Sequence, residues 1–152
     1  MILLVAALAA ATATPTPSAW VGHYQQSAEA WRAGKRDDAL RLFYVGQLRG
    51  RINVACVAQP ADGGPALLGA LNDMLGTEIN GWAGGEPDRW MAGIAAALAW
   101  DAANPDPDSP GAACETERAT QRKGLAELRT YIDTHRAEIA DGRRENGLAP
   151  QP

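Results

Sequence analysis

The chain has 152 residues, enough for one domain with a buried core, and its composition of 46% hydrophobic and 21% charged residues is ordinary for a soluble globular protein. This composition argues against global disorder. The formal net charge of −4 argues against non-specific nucleic-acid binding, because that activity requires a basic face to neutralise phosphates.

Residues 1–19 differ in composition from the rest of the chain. The run from Ile2 to Ala11 is uninterrupted and apolar. It is too short to span a bilayer, but it has the length of the apolar core of a secretory signal. Ala11-Thr12-Ala13 fits the small-x-small pattern of a cleavage site, and a Thr/Pro-rich spacer follows. The pattern predicts a signal peptide and spacer over 1–19, and therefore a periplasmic or otherwise exported protein. The alternative is a short N-terminal helix packed on the domain.

An N-terminal helical hairpin is predicted next. Apolar residues recur at helical spacing over 20–33, and residues 34–36 interrupt the pattern. Asp37 and Asp38 then place negative charge at the start of a second helix, where the helix dipole favours it.

Two glycines, Gly46 and Gly50, lie on the apolar stripe of this second helix. Each weakens the helix by about 1 kcal/mol relative to alanine, so each needs a packing reason. We expect the preceding helix to approach closely at both positions. Arg41, Gln47 and Arg49 fall on other faces, and we interpret them as a solvated surface whose long stems cover apolar neighbours.

The hairpin over 20–51 resembles a tetratricopeptide unit, because Gly34, Ala39 and Phe43 occur at the spacing of that family's glycine, alanine and aromatic residue. The family's first-helix Trp-Leu-Gly pattern and its closing proline are absent from this segment. No second copy follows at the period that a solenoid requires. A generic helical hairpin is therefore favoured over a peptide-binding solenoid.

A loop over 56–65 leads into a third helix, with Pro65 in its first turn, and glycines within 80–85 end that helix. Pro87 opens a fourth helix, which has no charged residue over 90–100. A helix that is apolar on nearly every side is typically buried among others. We therefore expect the fourth helix to be the central one.

A proline-rich connector over 104–111 precedes the last helix, which we expect Ser109 to cap and which continues past His135. Strand-like alternation of polar and apolar residues is not found. The sequence predicts an all-α, single-domain bundle of about five helices over 20–145, with a flexible tail over 146–152.

The chain contains two cysteines, Cys56 and Cys114. An exported protein with an even cysteine count can close a disulfide bridge, and the alternative is two buried free thiols. Neither cysteine belongs to a CxxC motif or lies in a local cationic cluster, so neither is a candidate catalytic thiol.

Enzymatic motifs are not found. The sequence has no GxSxG, GxxxxGK[ST], GxGxxG or HExxH pattern, so we assign no catalytic residue, no metal and no cofactor. Asn104, Asp106, Asp108 and Glu115 resemble the ligand spacing of an EF-hand loop. However, Ser109 occupies the position where that loop requires glycine, and three prolines stiffen the segment, so calcium binding is not favoured.

Acidic residues are concentrated between Glu78 and Asp108, where six acids accompany only Arg89. Trp82 lies beside them in a glycine-rich bend, and an aromatic anchor with a charged rim is typical of protein interfaces. The alternative for Trp82 is that it closes the end of the bundle. We predict a surface that binds a protein partner and consists of Trp82, Glu86, Asp88, Asp101, Asp106 and Asp108.

Four segments, LFYVGQLRGR, DGGPALLGAL, INGWAGG and ALAWDAANPD, resemble small exported helical proteins from high-GC bacteria. Some of these are immunity proteins against type VI secretion effectors. The resemblance covers 20–105 and consists of packing motifs, so it transfers no functional residue. It implies an exported, non-enzymatic protein that occludes the surface of an effector.

Two other functions remain open from the sequence. One is a small envelope hydrolase that acts through paired carboxylates from separate helices. The other is a helical adaptor domain without catalysis. No oligomeric state is predicted.

Overall fold

The computed structural model describes residues 18–57 and 63–148, and all regular structure in these residues is helical. The prediction of an all-α fold is confirmed for this part of the chain. The predicted signal peptide and the end of the predicted tail fall on 1–17 and 149–152, outside the described residues. The helices are α1 (Ala19–Arg32), α2 (Arg36–Cys56), α3 (Gly64–Ala83), α4 (Pro87–Ala103), α5 (Ala112–Thr134) and α6 (Arg136–Glu145).

The sixth helix results from a break at His135, inside what the sequence predicts as one last helix. His135 has φ −117° and ψ 27°, so it ends α5 and precedes α6. Thr134 Oγ1 donates a hydrogen bond to the Thr130 carbonyl (2.9 Å), and the His135 ring stacks on Tyr131 with 3.9 Å between centroids. His135 Nδ1 also lies 2.9 Å from the Tyr131 carbonyl, so the side chains at the break contact the carbonyl groups of the last turn of α5.

The central helix is α2, and not α4 as the sequence suggests. Eleven residues of α2 are buried, and the helix packs against α1, α3, α4 and α5. In α4 only four residues are buried, while Ala92, Ala96 and Ala99 are exposed. Alanine carries little apolar surface, so a charge-free alanine-rich helix can face water at small cost. Among the described residues, no helix is both long enough and apolar enough to cross a membrane.

The two glycines of α2 allow α1 to approach closely, as predicted. A Cβ atom on Gly46 would lie 2.9 Å from Tyr24 Cδ2, and one on Gly50 would lie 2.9 Å from Trp20 Cε3. Ser27 of α1 donates a hydrogen bond from Oγ to the Ala39 carbonyl (2.7 Å). These contacts pair Trp20 with Gly50, Tyr24 with Gly46 and Ser27 with Ala39, so the two helices run antiparallel.

A disulfide joins Cys56, the last residue of α2, to Cys114 in the first turn of α5, with 5.1 Å between the Cα atoms. The predicted bridge is therefore confirmed. It spans 58 residues of sequence. Loop closure of this length stabilises a fold by about 4 kcal/mol on the chain-entropy estimate.

Candidate functional site

The six residues predicted to bind a partner do not form one surface, because α4 lies between them. This helix has 17 residues and is therefore about 25 Å long. Three of the six lie at its N-terminal end and three at its C-terminal end and in the connector: Trp82, Glu86 and Asp88 in the first group, and Asp101, Asp106 and Asp108 in the second. Each end has its own chemistry.

At the C-terminal end of α4, Asp101 is the centre of a buried ion-pair cluster. Its side chain has no exposed surface. Oδ1 accepts a hydrogen bond from Arg49 Nε (2.9 Å), and Oδ2 accepts one from Arg122 Nε (2.7 Å). Arg118 Nη1 lies 3.6 Å from Oδ1. The interpretation of Arg49 as part of a solvated face is wrong, because this residue is only 3% exposed.

The connector between α4 and α5 is held inward by polar contacts. Asp106 has a side chain only 3% exposed, and it lies 3.4 Å from Arg118. The Asp108 carboxylate accepts a hydrogen bond from the Ala19 backbone N–H. The backbone carbonyl of Asp108 accepts a second one from Asn53 Nδ2 (2.9 Å). The carboxylates of Asp101 and Asp106 are thus buried, and in this conformation they present no charge to a partner surface.

The contacts of Asp101 and Asp106 can be compared with what a hydrolase acting through paired carboxylates would require. General acid–base catalysis requires a carboxyl oxygen that can reach the proton it transfers. Both oxygens of Asp101 already accept hydrogen bonds from guanidinium groups, and Asp106 faces Arg118. Among the residues that the structure describes, no group of three or more His, Cys, Asp or Glu side chains could hold a metal ion. The carboxylates of Asp101 and Asp106 are therefore engaged in ion pairs and are not placed to transfer a proton.

At the N-terminal end of α4, two tryptophans and two arginines form what we call the tryptophan–arginine patch: Trp31, Trp82, Arg36 and Arg89. The two indole rings meet edge to face, with 5.9 Å between centroids. The Arg36 guanidinium carbon lies 3.7 Å from the Trp31 centroid, and that of Arg89 lies 5.1 Å from the Trp82 centroid. All four side chains are partly exposed. The patch is therefore a continuous series of contacts in the order Arg36, Trp31, Trp82 and Arg89.

Charged residues of both signs surround the patch. Arg89 lies 3.4 Å from Asp37 and 3.2 Å from Glu86. An open concavity of about 480 Å³ lies beside the rings, and residues 34–38 with Trp82 and Arg89 line it. Three acids and three bases lie at this site, namely Asp37, Asp38, Glu86, Lys35, Arg36 and Arg89. The acidic excess of the sequence is therefore not concentrated on this surface.

Asp88 lies outside the patch. Its carboxylate accepts a hydrogen bond from Arg136 Nη2 (2.6 Å), which connects α4 to the first residue of α6. This hydrogen bond, with the positive charge of Arg136, holds the pKa of Asp88 below its usual value. Of the six predicted residues, only Trp82 and Glu86 therefore lie at the patch.

Sequence reasoning missed the arginines of both ends. Arg49 lies four residues after Val45 and three before Ile52, so a charge on a buried helical face was visible in the sequence. Its partner Asp101 lies 52 residues away, so the sequence gave no sign that these two residues form an ion pair. For the patch, Trp31 belongs to the apolar periodicity over 20–33, and the sequence gave no sign that Trp82 would meet it.

Comparison with protein-family models, with curated proteins and with solved structures finds no match for this chain. The resemblance to immunity proteins stays a prediction. A function is proposed below from the tryptophan–arginine patch at the N-terminal end of α4.

Proposed function

We propose that this chain is an exported protein-binding domain that uses the tryptophan–arginine patch to bind and occlude a protein partner. The class of partner follows from the resemblance to type VI immunity proteins, which implies a secreted bacterial effector. One observation carries the proposal: two half-buried indole rings are in contact, each has a guanidinium over its face, and Trp82 lines an open concavity together with both arginines. Tryptophan and arginine are enriched at the residues that dominate binding energies in protein interfaces.

The geometry of the patch also limits the entropy lost on binding. Arg36 donates a hydrogen bond from Nη1 to the Trp31 carbonyl (3.0 Å) while its guanidinium lies over the Trp31 ring. Arg89 is held by two carboxylates and by the Trp82 ring. Side chains that are ordered before binding lose less conformational freedom when a partner docks, and more of the contact energy appears as affinity.

The disulfide supports the export part of the proposal. Structural disulfides form and persist in oxidising compartments such as the bacterial periplasm. The Cys56–Cys114 bridge fits an exported protein, as the apolar N-terminal segment does.

The first test is site-specific photo-crosslinking in cells that express the protein together with a candidate effector. A photoreactive residue replaces Lys35, which lines the concavity, or Lys123, an exposed lysine on α5 that serves as the matched control. We expect a discrete crosslinked product containing the effector from position 35 and none from position 123. Equal crosslinking from both positions, or none from either, would contradict the proposed surface.

The second test uses paired variants and a binding measurement with that effector. Arg36→Ala together with Arg89→Ala removes both guanidinium groups from the patch, and we expect affinity to fall at least about tenfold, since truncation of hot-spot residues typically removes 2 kcal/mol or more. Arg32→Ala together with Arg144→Ala removes the same charge from exposed positions outside the patch. If the two double variants weaken binding equally, the effect is one of net charge and the patch is not the binding surface.

A further inference from the structure

The start of α1 meets α2 and the connector at a junction that the proposed function does not use. Trp20 is 1% exposed there, and a Cβ atom on Gly50 of α2 would lie 2.9 Å from its Cε3. Asp108 of the connector bonds both helices. Its carboxylate accepts a hydrogen bond from the Ala19 N–H, and its backbone carbonyl accepts one from Asn53 Nδ2. The first turn of α1 is therefore attached to the last turns of α2 and to the connector at the same place.

This junction contains most of the buried polar atoms that have no hydrogen-bond partner. In the part of the chain that the structure describes there are four such side-chain atoms, and three of them lie here: Trp20 Nε1, His23 Nδ1 and Asn53 Oδ1. A buried polar atom without a partner has lost its hydration and gained no hydrogen bond in return. Opening the junction lets water bind all three atoms. Hydration therefore favours local opening at the start of α1.

His23 is the titratable side chain of this junction. The residue is 8% exposed, and its ring meets the Trp100 ring edge on, with 4.9 Å between centroids. The guanidinium carbon of the buried Arg49 lies 4.6 Å from the centroid of the same Trp100 ring. Both ring nitrogens of a protonated histidine are donors, and Nδ1 has no acceptor here. A proton on His23 therefore adds a second buried cation and a donor without a partner.

Charged groups of both signs act on His23 from the elements packed against it, and over 19–28 α1 itself has no other charged residue. These groups are Arg49 and Arg41 on α2, Asp101 on α4 and Asp106 in the connector. Burial has the largest effect and, with the two arginines, lowers the pKa of His23 from 6.5 against the opposing effect of the two carboxylates. Opening returns the ring to water and to its ordinary pKa. Proton uptake below pH 6.5 therefore favours the open state.

We propose that the start of α1 is an acid-sensitive element: protonation of His23 detaches the segment from Ala19 to His23 from the connector and from α2. The second half of α1 stays in place, because the fully buried Ser27 donates a hydrogen bond to the Ala39 carbonyl. Opening uncovers Trp20 and the surface of α2 beneath it. This inference does not depend on the proposed function of the tryptophan–arginine patch. It assigns the effect of acid to one turn of the fold rather than to the fold as a whole.

The test is hydrogen–deuterium exchange of the full, disulfide-bonded chain at about pH 8 and about pH 5, which bracket the titration of an ordinary histidine. The rates are corrected for the intrinsic pH dependence of amide exchange. Peptides covering 19–27 report opening at the start of α1, and peptides covering 40–50 in the buried part of α2 report unfolding of the whole domain. We expect the protection factors of 19–27 to fall several-fold more on acidification than those of 40–50.

Two variants remove the titrating group. His23→Phe keeps an aromatic ring against Trp100, and His23→Gln keeps a polar side chain that does not titrate. Gln25→Ala, on the exposed face of α1, is the matched control. We expect both His23 variants to lose the pH-dependent difference between 19–27 and 40–50, and the control to keep it. Equal pH dependence of the two segments in the unsubstituted protein, or a difference that persists in both His23 variants, would overturn the proposal.

Discussion

The two ends of α4 use arginine in opposite ways. At the C-terminal end, guanidinium groups are buried against carboxylates. Arg118 and Arg49 also hold the connector in place through the Asp106 carboxylate and the Asn104 carbonyl. At the N-terminal end, guanidinium groups lie on indole rings and remain partly exposed. A buried ion pair directs its hydrogen bonds inward and organises the chain, whereas an arginine on an aromatic face keeps donors available to a partner. The comparison separates a region that holds the fold together from a region suited to recognition.

The largest change in the free energy of unfolding is expected from a substitution in the buried ion-pair cluster around Asp101. Asp101→Ala leaves the buried Arg49 without its carboxylate partner and also removes the acceptor of Arg122, and we expect the free energy of unfolding to fall by about 3–5 kcal/mol. Asp37→Ala removes an exposed partner of Arg89 at the other end, and we expect a change within about 1 kcal/mol. Urea denaturation of both variants measures this difference. Similar losses in the two variants would break the comparison between the ends.

The next largest effect is expected from loss of the disulfide near the same end. Replacing both cysteines, Cys56→Ser with Cys114→Ser, restores the entropy of the unfolded chain and should lower stability by about 2–4 kcal/mol. Hydrogen exchange should increase most in the last turn of α2 and the first turn of α5, where the bridge is attached. An increase of the same size around Trp82 would show that the bridge does not act locally.

A smaller, pH-dependent effect is expected from His23, which lies beside the cluster. Burial lowers the pKa of His23 from its ordinary value of 6.5, Arg49 and Arg41 act in the same direction, and Asp106 and Asp101 oppose them. The unfolded chain therefore takes up this proton at a higher pH than the folded chain. The stability contribution is present above pH 6.5 and is lost as the pH falls from 6.5 through the lowered pKa of the folded state.

The measurement is the free energy of unfolding as a function of pH. The His23 ring meets Trp100 edge on, with 4.9 Å between centroids, so His23→Phe keeps an aromatic ring at this position. We expect the stability of His23→Phe to be less sensitive to acid below pH 6.5 than that of the unsubstituted protein. Equal acid sensitivity of the two proteins would contradict this role of His23.

The smallest effect is expected at the tryptophan–arginine patch. A partly exposed cation–π contact contributes about 0.5–1 kcal/mol, so Arg36→Gln and Arg89→Gln should each lower stability by less than about 1 kcal/mol. Tryptophan fluorescence should change in both variants, because the guanidinium leaves the face of an indole ring. A loss as large as that of Asp101→Ala would mean that the patch organises the fold as the cluster does.

Local patterns in the sequence predicted much of the fold. The turn after α1, the start of α4 at Pro87 and the packing role of Gly46 depend on neighbouring residues, and the structure bears them out. The prediction of α4 as the central helix failed because the absence of charge does not measure buried area when the apolar residues are mostly alanine.

The candidate sites were less accessible from the sequence. Arg49 and Asp101 are 52 residues apart and share a hydrogen bond, and Trp31 and Trp82 are in contact although they lie on different helices. Helical periodicity shows which face of a helix is apolar but not which helix that face meets. Acidic residues near one another in sequence were therefore assigned to one surface, although burial separates them.

The disulfide also determines whether the fragments stay joined when a protease cleaves the chain. Cys56 and Cys114 enclose α3, α4 and the connector in one covalent ring. A protease that nicks the exposed prolines of the connector, Pro105 or Pro107, produces two polypeptides that remain a single molecule until a reductant is added. A cut after α5 instead releases its fragment from the ring. Cleavage at the exposed connector is therefore visible only on a reducing gel.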